Sequence, residues 1–167
     1  VNHKILLEKN KTLVLKTPKN KFEKKFDKEF KIQENSLKIE SIGFNLSQSK
    51  KEIKIKIDGI NEVIQIGDGF YAKNNLRSHL PYTKHNDTNV INFGMSEEKL
   101  KKIGTSGGWI SNDIYQIINY LYETPTSVVY NFIFKGDELQ WNTEVKNSLQ
   151  QYIAPKMPMS LKSINDD

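Results

Sequence analysis

The segment that most constrains this fold is residues 52–66, which reads EIKIKIDGINEVIQI. Residues 52–57 alternate strictly between polar and apolar side chains, which places every second side chain on one face of a β-strand. The Asp-Gly dipeptide between the two runs favours the tight turn of a β-hairpin. The segment therefore predicts a hairpin. A two-residue loop would pair Ile57 with Ile60 and a three-residue loop would pair Lys56 with Glu62, and the sequence leaves both registers open.

Residues 128–141 predict a second hairpin. The run VVYNFIFK is followed by a Gly-Asp turn and then by ELQW. A two-residue turn would set Lys135 opposite Glu138 and Phe132 opposite Trp141. The same register gathers five large side chains on one apolar face, namely Tyr130, Phe132, Phe134, Leu139 and Trp141.

Other segments fit a helical spacing. Residues 20–31, NKFEKKFDKEFK, place three phenylalanines four residues apart, which is one stripe of a helix. Residues 114–121 carry isoleucine and leucine at i, i+3, i+4 and i+7, which also predicts a helix. Further helices are expected over about 73–79, 96–102 and 142–153, each near a capping residue or a helix-ending proline.

These patterns together predict one α+β domain over residues 1–153, built mostly of antiparallel hairpins packed with two or three short helices. Single strands are expected over 12–16, 37–46 and 89–93, the second with a bulge where its alternation slips. Residues 154–167 contain two prolines and few large apolar groups. We expect them to form an extended C-terminal arm.

The charge of the chain is concentrated near its beginning. Residues 1–60 hold 15 lysines and 8 acidic residues, whereas the whole chain has a net charge of +5. The lysines Lys21, Lys24, Lys25 and Lys28 are candidate contacts for nucleic acid, in a nonspecific and salt-sensitive mode. The chain has only one arginine, which argues against sequence-specific reading of bases.

A metal-dependent nuclease is the enzymatic alternative. The predicted order of helix, strand and strand, with Glu40 followed by Glu52-Ile53-Lys54, is similar to that of PD-(D/E)xK nucleases. In those enzymes two acids hold the metal ion and the lysine stabilises charge on the attacking group. A solvated strand face is the competing interpretation of Glu40, Glu52 and Lys54, because acid-x-lysine triplets arise readily in a lysine-rich strand.

Residues 104–108, GTSGG, resemble the nucleophile loop of chymotrypsin-like proteases. His79 and Asp87 precede Ser106 by only 27 and 19 residues, too few to build the two barrels of those enzymes. We therefore assign Ser106 a structural role and expect its replacement by alanine to be nearly neutral. Cysteine is absent and His79, His85 and Asp87 match no zinc pattern, so we expect no metal and no cofactor.

The resulting functional prediction is a non-enzymatic protein–protein interaction or assembly module, as in a structural subunit of a viral, phage or bacterial complex. Met157 and Met159 in the arm are its candidate contact residues, because methionine adapts to irregular surfaces. The alternative is nucleic-acid binding or nuclease activity through the basic N-terminal third. No apolar run reaches the roughly 18 residues needed to span a membrane, so we expect no membrane span.

Overall fold

The computed structural model describes residues 18, 24–35, 38–76, 101–122, 127–146 and 159–164, and these form two antiparallel β-sheets without a helix. The first sheet has the order β1 (Asp27–Lys31), β2 (Ile39–Asn45), β3 (Lys51–Ile57) and β4 (Ile60–Ile66). The second contains β5 (Ala72–Leu76), β6 (Lys101–Trp109), β7 (Ile114–Leu121), β8 (Ser127–Lys135), β9 (Glu138–Lys146) and β10 (Met159–Lys162), in chain order. The α+β prediction is therefore wrong, and the described fold is all-β.

Both predicted hairpins are confirmed. Ile57 pairs with Ile60 across a two-residue loop, in which Asp58 and Gly59 adopt φ of 48° and 77°. Positive φ at both central residues is what the favoured two-residue turn requires, and it selects one of the two registers left open by the sequence. In the second hairpin Lys135 pairs with Glu138, and further along Phe132 pairs with Trp141. The predicted bulge in β2 is present as well, with the pairing register shifting between Ile39 and Ser41.

The helix predicted over residues 20–31 is wrong where the structure describes it, because Asp27–Lys31 is strand β1. Residues four apart lie on one stripe of a helix. Because side chains alternate between the two faces of a strand, residues an even number apart also share one face of a strand. Phe26 and Phe30 consequently share one face of an extended chain as well. Both pack into the interior, and their ring centroids are 6.4 Å apart.

The helix predicted over residues 114–121 is also wrong, since this segment is strand β7. Tyr115 and Ile117 point into the core, whereas Ile114 and Ile118 lie half-buried on the opposite face. The helical spacing arose because isoleucines occupy both faces of the strand. Isoleucine and tyrosine also favour strands over helices.

The remaining helix predictions meet strands wherever they are described. Residues 73–76 lie in β5, 101–102 begin β6 and 142–146 belong to β9. The predicted strands 12–16 and 89–93 and the rest of these helices lie outside the described residues. Within the predicted arm, Met159–Lys162 is β10 and pairs with β9 of the same chain. Among the described residues no helix is long and apolar enough to cross a membrane.

Aromatic side chains fill the space between the two sheets. Phe44 of the first sheet lies 5.0 Å from Phe132 and 5.1 Å from Phe134 of the second, measured between ring centroids. Trp109 and Trp141 are fully buried in the same core. Edge-to-face and tilted contacts of this kind add to the stability gained by burying the rings.

Backbone hydrogen bonds join the two sheets along one pair of edges. The amide of Gln33, just after β1, donates to the carbonyl of Lys162 in β10 at 2.9 Å. The amide of Ile164 donates in turn to the carbonyl of Lys31 at 2.9 Å. The edges of β1 and β10 thus protect each other from pairing with a foreign strand.

The second seam lies where β4 ends and β6 passes beside it. Gly67 donates from its amide to the Thr105 carbonyl at 3.1 Å and accepts from the Gly107 amide at 3.0 Å. A Cβ on Gly107 would lie only 2.8 Å from Cγ2 of Ile66, so a side chain larger than hydrogen does not fit. The two sheets are thus joined by hydrogen bonds at two places along their edges.

Candidate interaction surface

The outward face of the first sheet is charged with both signs. Its outward positions on β1 and β3 are occupied by Asp27, Glu29, Lys31, Glu52, Lys54 and Lys56. Alternating acids and lysines lower the local potential that either sign would create alone.

Glu52, a candidate nuclease acid, is held by neighbouring side chains on this face. Its carboxylate accepts hydrogen bonds from Gln65 Nε2 at 2.9 Å and Asn45 Nδ2 at 3.2 Å, and Lys54 Nζ lies 3.5 Å away. These donors, Gln65 first, hold the pKa of Glu52 below its usual value. These contacts hold the Glu52 carboxylate against the outward face of the sheet.

Glu40, the other candidate acid, occupies the bulge of β2 and has different partners. Lys56 Nζ lies 2.7 Å from its carboxylate and the Gly59 amide donates to it at 2.6 Å. Lys56, and then Gly59, lower the pKa of Glu40. Glu52 stands four residues before Lys56 on β3, a separation of about 13 Å. The structure therefore does not bring the nuclease acids together.

Two of the candidate nucleic-acid-binding lysines, Lys24 and Lys28, contact the second sheet and its turns. Lys24 donates from Nζ to the Asn112 carbonyl at 3.2 Å and lies 4.8 Å from the ring centroid of Trp109. Lys28 forms an ion pair with Asp137 in the turn between β8 and β9. Lys25 is exposed, and Lys21 lies outside the described residues. Within the described residues no group of three His, Asp or Glu side chains is arranged to hold a metal ion.

The outward face of the second sheet contrasts sharply with that of the first. Its centre, across β6–β9, carries no charged residue, although 27% of the residues in the chain are charged. We call this surface the neutral face; its half-buried members are Ile114, Gln116, Ile118, Tyr120, Ser127, Asn131, Ile133, Gln140 and Asn142. Gly104, Ser106, Gly108 and Val129 occupy outward positions between them but are buried. Charged residues stand at its margins, namely Lys73, Lys102, Lys135, Glu138, Glu144, Lys146 and Lys162.

Amide side chains cross the middle of the neutral face. Gln116 Nε2 donates to Asn131 Oδ1 at 2.9 Å, which links β7 to β8. Gln140 Nε2 donates to Asn142 Oδ1 at 3.1 Å along β9. These bonds orient the amides of the neutral face. The face is thus apolar and hydrogen-bonding at once.

Three tyrosines stand at one corner of the neutral face. The rings of Tyr71 and Tyr120 meet edge to face, with centroids 5.0 Å apart. Burial, and then the neighbouring Tyr120, raise the pKa of Tyr71 above its usual value. Tyr122 is 54% exposed and its hydroxyl lies over Gly104, 2.8 Å from where a Cβ would be. Tyrosine offers a large contact area at a low cost in side-chain entropy.

A cleft of about 450 Å³ lies at the far end of β8 and β9. Ile133 and Gln140 of the neutral face line it, together with Lys135 and Lys162. The neutral face therefore has a tyrosine corner at one end of β8 and a cleft with charged walls at the other. Specific protein interfaces are complementary in shape, and an uneven surface of this kind can match a partner with a complementary outline.

The serine of the GTSGG segment is not in a loop. Ser106 lies within β6, is fully buried, and donates from Oγ to the Gly67 carbonyl at 3.1 Å. His79 and Asp87 lie outside the described residues. The GTSGG pattern draws attention to this serine, but no sequence motif points to the neutral face beside it. The one sequence feature that could have indicated the neutral face is the presence of isoleucines on both faces of β7.

Comparisons of the chain with protein family models, with curated proteins and with solved structures found no match. The function is therefore inferred from the surface itself.

Proposed function

We propose that this chain is a non-enzymatic protein–protein interaction module and that the neutral face is its contact surface. The observation that carries the proposal is the absence of charge from the centre of β6–β9 in a chain rich in lysine and acids. Charged residues are depleted from the cores of protein interfaces, because burying an unpaired charge is costly.

The composition of the neutral face supports a protein partner. Half-buried isoleucines such as Ile118 and Ile133 provide apolar area, and Asn131 and Gln116 provide hydrogen bonds that do not require a charged partner. The tyrosine corner adds side chains of the type that dominates binding energy in many interfaces. Aromatic, aliphatic and amide groups together suit a folded protein surface better than a phosphate backbone.

Nucleic-acid binding and nuclease activity have less support from the described residues. Lys56 and Lys54 on the first sheet lie beside Glu40 and Glu52, so their charges are locally balanced. Phosphate recognition depends on an excess of positive charge. This alternative is kept as an outcome of the experiment below.

The test places one charge on the neutral face with little change of shape. Asn131→Asp keeps an oxygen to accept the hydrogen bond from Gln116, and Asn61→Asp is the matched change on the outward, exposed face of β4. Each chain is immobilised and exposed to extract of the source cells.

We expect the wild type and Asn61→Asp to retain the same proteins and Asn131→Asp to lose them. Equal retention by all three chains would overturn the proposal. Retention of nucleic acid that is released by salt, and is unaffected by Asn131→Asp, would favour the nucleic-acid alternative instead.

A further inference from the structure

We infer that the open edge of β4 is a second contact site, which binds an extended segment of a partner protein as an added β-strand. The site is separate from the neutral face and goes beyond the proposed function. Three properties of the described residues support it: the direction of the main-chain groups of β4, the exposure of its side chains, and the pairing that already occurs further along the same edge.

The first sheet leaves one side of β4 without a neighbouring strand of its own. β4 is the last strand of that sheet, and it pairs with β3 from Ile60 to Ile66 without a shift in register. On the side away from β3, the amide of Gln65 donates to Asn74 Oδ1 and its carbonyl accepts from Asn74 Nδ2, both at 2.8 Å. Gly67 bonds to β6 on the same side. This part of the edge is therefore covered.

The edge is open before Gln65. Main-chain groups of alternate residues in a strand point to the same side, so the amides and carbonyls of Asn61 and Val63 also point away from β3. In the part of the chain that the structure describes, no group bonds to the main chain of either residue on that side. Unpaired main-chain groups at an edge form a template for a further strand.

The side chains of this stretch are accessible and uncharged. Ile60 is 51% exposed and Val63 is 43% exposed, and no other large apolar side chain is exposed in the described strands of the first sheet. Asn61 lies exposed between them, whereas Glu62 points inward and is buried. Lysine or proline protects many natural edges, and neither occurs over residues 60–63. The edge therefore offers apolar contact beside its main-chain groups.

The occupant that fits this edge is an extended peptide segment. Donors and acceptors that alternate along a strand are matched by another extended main chain, which would continue the pairing present at Gln65 and Gly67. In recognition of this kind the main chain gives affinity and alternate side chains give specificity, here beside Ile60 and Val63. Because few main-chain hydrogen bonds are on offer, the contact should be weak by itself.

Amide hydrogen exchange of the wild-type chain tests the inference without a substitution. The free protein should exchange the amides of Asn61 and Val63 fast and those of Glu62 and Ile64 slowly, because the latter two pair with β3. The probe is a synthetic peptide, acetyl-KTVTVTK-amide, whose residues favour an extended conformation. In millimolar excess it should slow exchange at Asn61 and Val63 at least about tenfold. The same peptide N-methylated at its central residues keeps its side chains but loses their main-chain donors, and should have no effect.

Val63→Pro provides the matching change in the protein. Proline removes an amide that points away from β3, so the variant should stay folded and lose the effect of the peptide. Near-ultraviolet circular dichroism checks the fold, and if the variant does not fold, the exchange measurement on the wild type decides. Val63→Thr is the control, since it keeps the amide and should still bind. Asn61→Asp should bind as well, because recognition is through the main chain.

Four outcomes would overturn the inference. In the first, exchange at Asn61 and Val63 is fast and the peptide leaves it unchanged. In the second, both amides are slow in the free protein at every concentration, which means that the chain itself covers the edge. In the third, they become slow only as the protein concentration rises, which identifies a second copy as the occupant. In the fourth, the peptide protects Val63→Pro and Val63→Thr equally. None of these outcomes depends on Asn131, so the neutral face is tested separately.

Discussion

Ser106 Oγ donates a hydrogen bond to the carbonyl of Gly67 at 3.1 Å, at the edge where the two sheets meet. The amide of Gly107 donates to the same carbonyl at 3.0 Å, so two hydrogen bonds fix the chain as it passes from the first sheet to the second. The small residues around Ser106 are explained by this close approach. They allow β6 to pass beside the end of β4.

This contact predicts a measurable cost for Ser106→Ala. Removing a fully buried hydroxyl that donates a hydrogen bond should lower the free energy of unfolding by about 1 kcal/mol. The sequence alone suggested a nearly neutral change, because it did not show the Gly67 carbonyl. Ser41→Ala is the control, since Ser41 donates only to the exposed Glu29. Chemical denaturation measures the free energy of unfolding of both variants. Equal values would contradict a role for Ser106 in the seam.

Gly107→Ala should be more harmful than the same change at Gly43. The added methyl would lie 2.8 Å from Ile66 Cγ2 and 3.1 Å from the Tyr115 hydroxyl, whereas at Gly43 the nearest atoms are 3.8 Å away. Overpacking of this kind costs about 1–3 kcal/mol. Thermal unfolding should show a clear loss for Gly107→Ala and little change for Gly43→Ala. The account of the seam would be wrong if the order were reversed.

Trp141→Ala should destabilise the protein by about 3–5 kcal/mol. Trp141 is fully buried, pairs with Phe132 across the β8–β9 hairpin, and lies 5.1 Å from Tyr130 between ring centroids. Tyr122→Ala removes a large aromatic side chain that is half exposed, and should cost much less. Urea denaturation compares the two, and a similar midpoint shift for both would argue against the observed packing.

High pH should unfold the protein partly through Tyr130. Burial, and secondly the Glu62 carboxylate, raise the pKa of Tyr130 above its usual value of 10.0. The folded state therefore keeps the proton that the unfolded state releases above about pH 10. Stability is fully present below that pH and falls as the pH rises further, by up to about 1.4 kcal/mol per unit from this residue.

Tyr130→Phe tests this linkage, since phenylalanine cannot ionise. Above about pH 10, the free energy of unfolding of the variant should fall less steeply with pH than that of the wild type, as measured by denaturation. The difference in the free energy of unfolding at pH 8 gives the direct cost of the lost hydroxyl, and this difference is subtracted from the values at higher pH. Parallel curves for the two proteins would show that Tyr130 does not contribute to the alkaline transition.

The hairpins were predictable from the sequence because their turn dipeptides and their alternation agree. Asp58 and Gly59 fit the positive φ of the turn, and the apolar positions on both sides then set the register. The helix predictions over residues 20–31 and 114–121 failed for physical reasons that the sequence conceals. Phe26 and Phe30 satisfy both periodicities, and the isoleucines of β7 serve two different environments.

The neutral face could not be predicted from the sequence, for a related reason. The neutral face is assembled from alternate residues of several strands, and its amides Gln116 and Asn131, which meet across β7 and β8, are 15 residues apart in sequence. Only the cross-strand register shows that the uncharged positions lie together. The lysines looked more promising in the sequence, yet Lys24 and Lys28 bind parts of their own chain.

The most direct test of the neutral face as a contact surface is a nuclear magnetic resonance titration of the wild-type protein with the proteins that it retains from cell extract. The side-chain amides of Gln116, Asn131 and Asn142 report on the neutral face, and that of Asn45 reports on the outward face of the first sheet. The account predicts concentration-dependent shifts for the first group and a constant position for Asn45. Shifts confined to the first sheet would contradict it.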